Sequence, residues 1–235
     1  MPDATTATAL PVVGRRERKK QATRAALREA ALRLALRDGV ENVTVERIAS
    51  EADIALRTFF NYFSSKEEAV VAAAAAGAEA VIAEFRARPA AESVLRALRE
   101  AVLIVFDQDH AASRDYIRAS RLIRRTPSLL PQELAVLAAQ EKALAAAIVE
   151  RLQPAHEIAR PAAATEQPAP IGIYPALCAA TSLTALRVVL SRWLEHAADS
   201  DETPPMDLLR QEIDQAIGDL AAGLDRPGHP PASGR

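Results

Sequence analysis

Four of the nine aromatic residues in this 235-residue chain fall within five consecutive positions, Phe59, Phe60, Asn61, Tyr62 and Phe63. A helix cannot bury all four on one side, because neighbouring side chains project about 100° apart and only positions three or four apart share a face. Some of them face outward. They either close a local core at the end of a domain or leave an outward group to meet a partner.

The flanking residues give this cluster its setting. Arg18 to Asp38 reads as a helix with an apolar stripe of Leu27, Ala31, Leu34 and Ala35, and Gly39 stops it. Thr44 is a good N-cap for a second helix, in which Val45, Ile48, Ala49 and Ala52 recur at helical spacing. Asp53 breaks that helix and tolerates the left-handed conformation of a tight turn. Ala55 to Tyr62 resumes as a third helix, and Ser65 and Glu68 offer a capping box for a fourth. Two short helices joined by a tight turn and packed on a longer one make a helix-turn-helix module.

Charge is distributed unevenly. The net charge is −2, yet the segment from Arg15 to Arg37 carries nine basic residues against Glu17 and Glu29. The N-terminal part is thereby suited to a polyanion, and the remainder is net acidic. No uninterrupted apolar run reaches the roughly 18 residues of a membrane span. The charged cluster follows a short apolar patch, the reverse of a secretory signal, so a cytoplasmic protein with no membrane partner is expected. The lone Cys178 excludes an intrachain disulfide framework and is assigned to buried packing.

The segment TVERIASEADIALRTFFNYFSSKEEAV resembles the DNA-binding domain of the tetracycline-repressor (TetR) family. The match rests on Thr44, the turn Ala52 to Ala55, the run Thr58 to Phe63, and Ser65 to Glu68. Three positions depart from the family pattern: Asp53 stands for a turn glycine, Ala55 for a Ser or Thr cap, and Phe60 for a tyrosine. The missing cap costs about 1 kcal/mol of helix stability, so tertiary packing has to hold the third helix. The RTFFNYF form is similar to a subgroup that includes the mycofactocin-cluster regulator, which implies acyl-CoA-like ligands.

The resemblance assigns the outward residues to DNA. Phe59 and Phe63, four apart, belong to the module's core with Ile48 and Leu27, while Phe60 lies between faces. The expected DNA-binding residues are Arg15, Arg16, Thr44, Arg57, Thr58, Asn61, Tyr62 and Lys66. Arginine can read guanine bidentately, asparagine can pair with adenine, and threonine or tyrosine can reach a base methyl or a phosphate. Lys66, at the start of the fourth helix, is placed to meet a phosphate. Arg15, Arg16, Lys19 and Lys20 form a flexible basic arm ahead of the module, for backbone contact or merely for solubility.

From Ala73 onward helical periodicity continues without a convincing strand. The fold expected is all-α: residues 1–14 disordered, 15–72 a three-helix helix-turn-helix domain, 73–224 a larger helical ligand-binding and dimerisation domain, and 225–235 a disordered tail. Prolines 154, 161, 168 and 170 define a long loop. Tyr174 to His196 carries apolar residues on two faces and should be buried from both sides. Thr203 and Pro204 open a last helix striped by Met206, Leu209, Ile213, Ile217, Leu220 and Leu224. In the resembling family the final two helices form the homodimer interface; an intramolecular bundle is the alternative. Arg114, Arg118, Arg121 and Arg125 make one basic stripe, which suits an anionic ligand or equally a solvated face. Phe106, Tyr116, Arg121, Arg125, Tyr174 and Trp193 are the candidate ligand-binding residues.

No glycine-rich phosphate loop, H-E-x-x-H or paired cysteines occur, and His110, His156, His196 and His229 are scattered. The chain is therefore expected to be no enzyme, with neither metal nor cofactor. Its expected role is a DNA-binding transcriptional regulator, a homodimeric repressor released by an acyl-CoA-like or other apolar or anionic molecule. A regulator of drug efflux with a hydrophobic ligand, or a helical protein-interaction module, are the alternatives.

Overall fold

The computed structural model describes residues 14–108, 110–158, 172–196 and 205–223. Among them are α1 (Arg15–Asp38), a 3-10 turn (Val40–Asn42), α2 (Val45–Glu51), α3 (Leu56–Phe59) and α4 (Lys66–Ala87). There follow α5 (Val94–Gln108), α6 (His110–Arg125), a 3-10 turn (Pro127–Leu129), α7 (Leu130–Ile158), α8 (Tyr174–Glu195) and α9 (Met206–Ala222). No strand occurs among the described residues. The all-α expectation is met. The expected disordered ends (apart from Gly14), most of the proline-rich loop and the Thr203–Pro204 cap lie outside the described residues.

The chain divides into two compact units, Met1–Val70 and Val71–Arg235, with the boundary inside α4. In the first unit, α1 buries Leu27, Ala30, Ala31, Leu32, Leu34 and Ala35, a stripe three to four residues apart. Gly39, at φ 81°, lies in the backbone region that favours glycine, and its amide bonds to the Ala35 carbonyl. Helix α1 begins at Arg15. The basic residues expected to form a flexible arm are instead its exposed first turns, because no glycine or proline interrupts Arg15 to Asp38.

The second unit is a helical bundle whose core gathers Phe85, Leu98, Phe106, Leu144, Ile148, Trp193 and Leu209 with their neighbours. The corner between α4 and α5 is held by Arg151 of α7. Its guanidinium donates to the carbonyls of Phe85, Arg88 and Glu92 at 3.2–3.4 Å and to that of Pro89, and stacks over the Phe85 ring 5.1 Å from its centroid. Arg99 on α5 pairs with Asp214 on α9, and Arg192 on α8 with Glu212 on α9.

Three sequence expectations are corrected here. Helix α7 runs through Pro154 to Ile158, so the loop begins later than expected. Helix α8 is buried on one side only: Ala179, Ser182, Val189, Leu190 and Trp193 face the core, while Tyr174, Leu177 and Val188 are about half exposed. The α9 stripe does not await a partner along its whole length, since Leu209 and Ile213 pack into this chain's own core and Met206 and Ile217 against it. Helix α8 is long and apolar enough by length and composition to cross a membrane. Its buried side, however, belongs to the bundle core.

Candidate nucleic-acid interface and effector cavity

The first unit places its polar residues by a series of local stops. Thr44 caps α2 as expected, its hydroxyl accepting the Arg47 amide at 3.3 Å. Helix α2 closes in a Schellman motif: the Ile54 amide reaches the Ala49 carbonyl at 2.9 Å and the Asp53 amide the Ser50 carbonyl at 3.1 Å. Asp53 holds the left-handed position at φ 53°. The Asp38 carboxylate accepts from Arg37 and Arg47, which holds its pKa below the ordinary carboxylate range.

The third helix is shorter than the sequence implies. Regular α geometry covers Leu56–Phe59 only, and Phe60 to Tyr62 continue as turns, with the Tyr62 amide bonded to the Phe59 carbonyl at 2.9 Å. Ala55 supplies no side-chain cap. The segment is held by its aromatics: Phe59 and Phe63 are buried beside Leu27 and Ile48, and their ring centroids lie 5.8 Å apart. Arg24 stacks over Phe63 at 5.5 Å from the centroid. Phe60 is 55% exposed, its ring edge-on to Phe59.

With the apolar side fixed, Arg57 and Asn61 are exposed and Thr58 and Tyr62 half-buried. Arg15, Arg16 and Thr44 are exposed too. Lys66 is the exception among the expected DNA contacts. Its ammonium donates to the carbonyls of Val40 (3.0 Å), Glu41 (3.3 Å) and Val43 (3.0 Å), which occupies all three of its hydrogens. The lysine closes the 3-10 turn onto the start of α4, and its charge is spent on backbone. The anticipated capping box is present with a shift of one residue: the Ser65 hydroxyl accepts the Glu68 amide at 3.1 Å, and Glu68 accepts from the amide and hydroxyl of Ser64.

The second unit contains a cavity of about 390 Å³ walled by α4 to α8. Val71, Gly77 and Val81 line it from α4, Phe106 from α5, Tyr116, Ser120 and Arg124 from α6, Glu133 and Leu137 from α7, and Leu186 and Arg187 from α8. Of the six expected ligand residues, Phe106 and Tyr116 line it. Arg121 and Arg125 do not, because the cavity face of α6 is set by Tyr116, Ser120 and Arg124, and Arg121 sits five residues from Tyr116, about 140° around the helix. Trp193 is wholly buried behind the wall, edge-on to Phe106 at 6.1 Å, with its indole N–H donating to the Pro205 carbonyl at 3.1 Å. Tyr174 is half exposed at the start of α8, away from the cavity. Arg124, Arg187 and Glu133 were missed: each is an ordinary charged residue on an amphipathic helix, and only the register of packing turns it inward. Burial pushes the Tyr116 phenol up, opposed by a hydrogen bond with Ser120. Among the described residues no group of three His, Cys, Asp or Glu side chains could hold a metal.

A capped helix, a left-handed turn and a short aromatic-anchored helix with an outward polar face define a helix-turn-helix module carried by an all-helical chain with an internal cavity. Residues 27–74 match the family of bacterial regulatory proteins, tetR family. The matched segment is the one that holds the helix-turn-helix. It is 36% identical over 144 residues to the HTH-type transcriptional regulator TcmR of Streptomyces glaucescens, a match covering 59% of this chain and 64% of that protein. The fold is similar to that of a TetR-family regulator from Syntrophomonas wolfei, with a TM-score of 0.54 and 17% identity over 87% of this chain and 97% of the other. The fatty acid degradation regulator FadR from Bacillus halodurans gives 0.51 and 17% identity over 84% and 96%.

Proposed function

We propose that this chain is a sequence-specific, DNA-binding transcriptional regulator of the cytoplasm, a homodimeric repressor released by a small molecule. The observation that carries the reading is the outward face of Arg57, Thr58, Asn61 and Tyr62, standing over a fully locked apolar side. Such a face offers hydrogen-bond donors and acceptors to base edges, while the exposed Arg15 and Arg16 supply sequence-independent contact to phosphates.

Homodimer formation is supported by the uncovered side of α8, where Leu177 and Val188 are 55% and 53% exposed. Two copies would present two modules to half-sites about 34 Å apart. The cavity takes the effector. Helix α4 forms one wall and begins at Lys66, so a ligand that prefers one setting of this helix has a direct route to DNA affinity, provided it binds that state more tightly.

The test is binding of the full chain to the DNA upstream of its own gene, titrated with salt. A salt-dependent shift is expected, lost on Arg57→Ala plus Tyr62→Phe with the fold intact by circular dichroism. Unaltered binding in that variant would remove the assigned face.

A further inference from the structure

The charges around the cavity narrow the class of effector, and the narrowing rests on the reading of this cavity as the effector site. Arg124 on α6 and Arg187 on α8 both line it and both reach the surface, so their guanidinium heads sit at its rim. Neither forms an ion pair or hydrogen bond among the described residues. Glu133 lines the same cavity and is likewise unpaired there. All three share the cavity wall with Tyr116. The remaining wall is mostly apolar, interrupted by Ser120, Gln140 and Ser191, and includes the buried Phe106.

We infer that the effector is an apolar molecule with a single ionised acid group, its acid held at the rim by Arg124 and Arg187 and its apolar body lying inward against Phe106 and Tyr116. Two cations against one carboxylate leave a net charge of one, set between low-dielectric walls that strengthen its field. A guanidinium donates to the two oxygens of a carboxylate or sulfonate in planar, two-point geometry. Glu133 sets a limit in the other direction. It repels a second acid group and accepts a hydrogen bond from a hydroxyl on the ligand. A coenzyme A ester brings several phosphate charges to a rim with one unbalanced cation, so the free acid fits better than its thioester.

The test uses the full-length protein and a pair of fluorescent probes of one shape, 8-anilino-1-naphthalenesulfonate (an anion) and N-phenyl-1-naphthylamine (neutral). The anion is expected to bind about tenfold more tightly. Arg124→Gln plus Arg187→Gln should abolish that preference and leave the neutral probe unchanged. Oleate should displace the anion at lower concentration than oleoyl-CoA. Ala78→Trp, or Ala74→Trp should the first variant not fold, fills the cavity and should eliminate both probes. Equal affinities unaffected by the glutamine changes would overturn the acid inference while leaving the cavity as a ligand site, as would stronger displacement by oleoyl-CoA. Binding of both probes that survives the tryptophan variants would overturn the cavity reading itself, and the inference with it.

Discussion

The two units are made of the same material and specified in different ways. In the first, almost every element is bounded by a residue whose role is fulfilled within five positions: Gly39 onto Ala35, Thr44 onto Arg47, Asp53 onto Ser50, Ser65 onto Glu68. In the second, long helices meet through side chains far apart in sequence, such as Arg99 with Asp214 or Arg151 with Phe85 and Pro89. A unit pinned locally can turn a polar face outward at small cost. A unit held by distant packing can leave an internal space, because no single segment dictates how closely the helices approach.

The sharpest way to break this contrast is to remove the aromatic anchor. Phe59→Ala should destabilise the first unit by about 3–5 kcal/mol, the range for deleting a buried phenylalanine, with denaturant melts followed by tryptophan fluorescence showing Trp193 of the second unit little changed. One cooperative transition lost in both units together would show that they are not separately specified.

Lys66→Gln comes next. Loss of the ammonium leaves three backbone carbonyls without their donor and should cost about 1–3 kcal/mol. The slope of log affinity against log salt should stay the same, whereas a lysine on a phosphate would lower it by about one. A changed slope would return Lys66 to the DNA contacts.

Thr44→Ala should cost about 1 kcal/mol through loss of the cap, read from chemical denaturation, and would sharpen the comparison by showing a single local bond felt across the first unit. The smallest effect belongs to the second unit. Arg99 holds the Asp214 carboxyl below its ordinary range. Its folded pKa lies under the unfolded value of about 3.9. The pair therefore contributes fully above that pH, and its contribution fades as pH falls through the folded value. Asp214→Asn should lower the melting temperature slightly at pH 7 and not below pH 3; the half-exposed carboxylate keeps the change under about 1 kcal/mol.

How much of this was legible follows from the same contrast. The caps, the left-handed Asp53 and the inward pair Phe59 and Phe63 are all stated by neighbouring residues, and the helix-turn-helix and its polar face could be read directly. The fate of Lys66 could not, because the carbonyls that hold it lie more than twenty residues away. The shortness of α3 escaped as well: Phe59 and Phe63 stand at ordinary helical spacing, and that spacing does not reveal that Phe60 to Tyr62 continue as turns. In the second unit the helices were legible and their facing was not. The basic stripe singled out Arg121, yet only the setting of α6 against its neighbours decides which arginine meets the cavity, and it is Arg124.

Helix α4 is tethered at both extremities: Lys66 binds its start to the 3-10 turn, and Arg151 grips the carbonyls of Phe85 and of the residues just past its end. Helix ends ordinarily fray, and their amides exchange with solvent first. Here the two tethers should reduce fraying, so that Lys66→Gln or Arg151→Gln speeds amide exchange in the adjoining turn of α4.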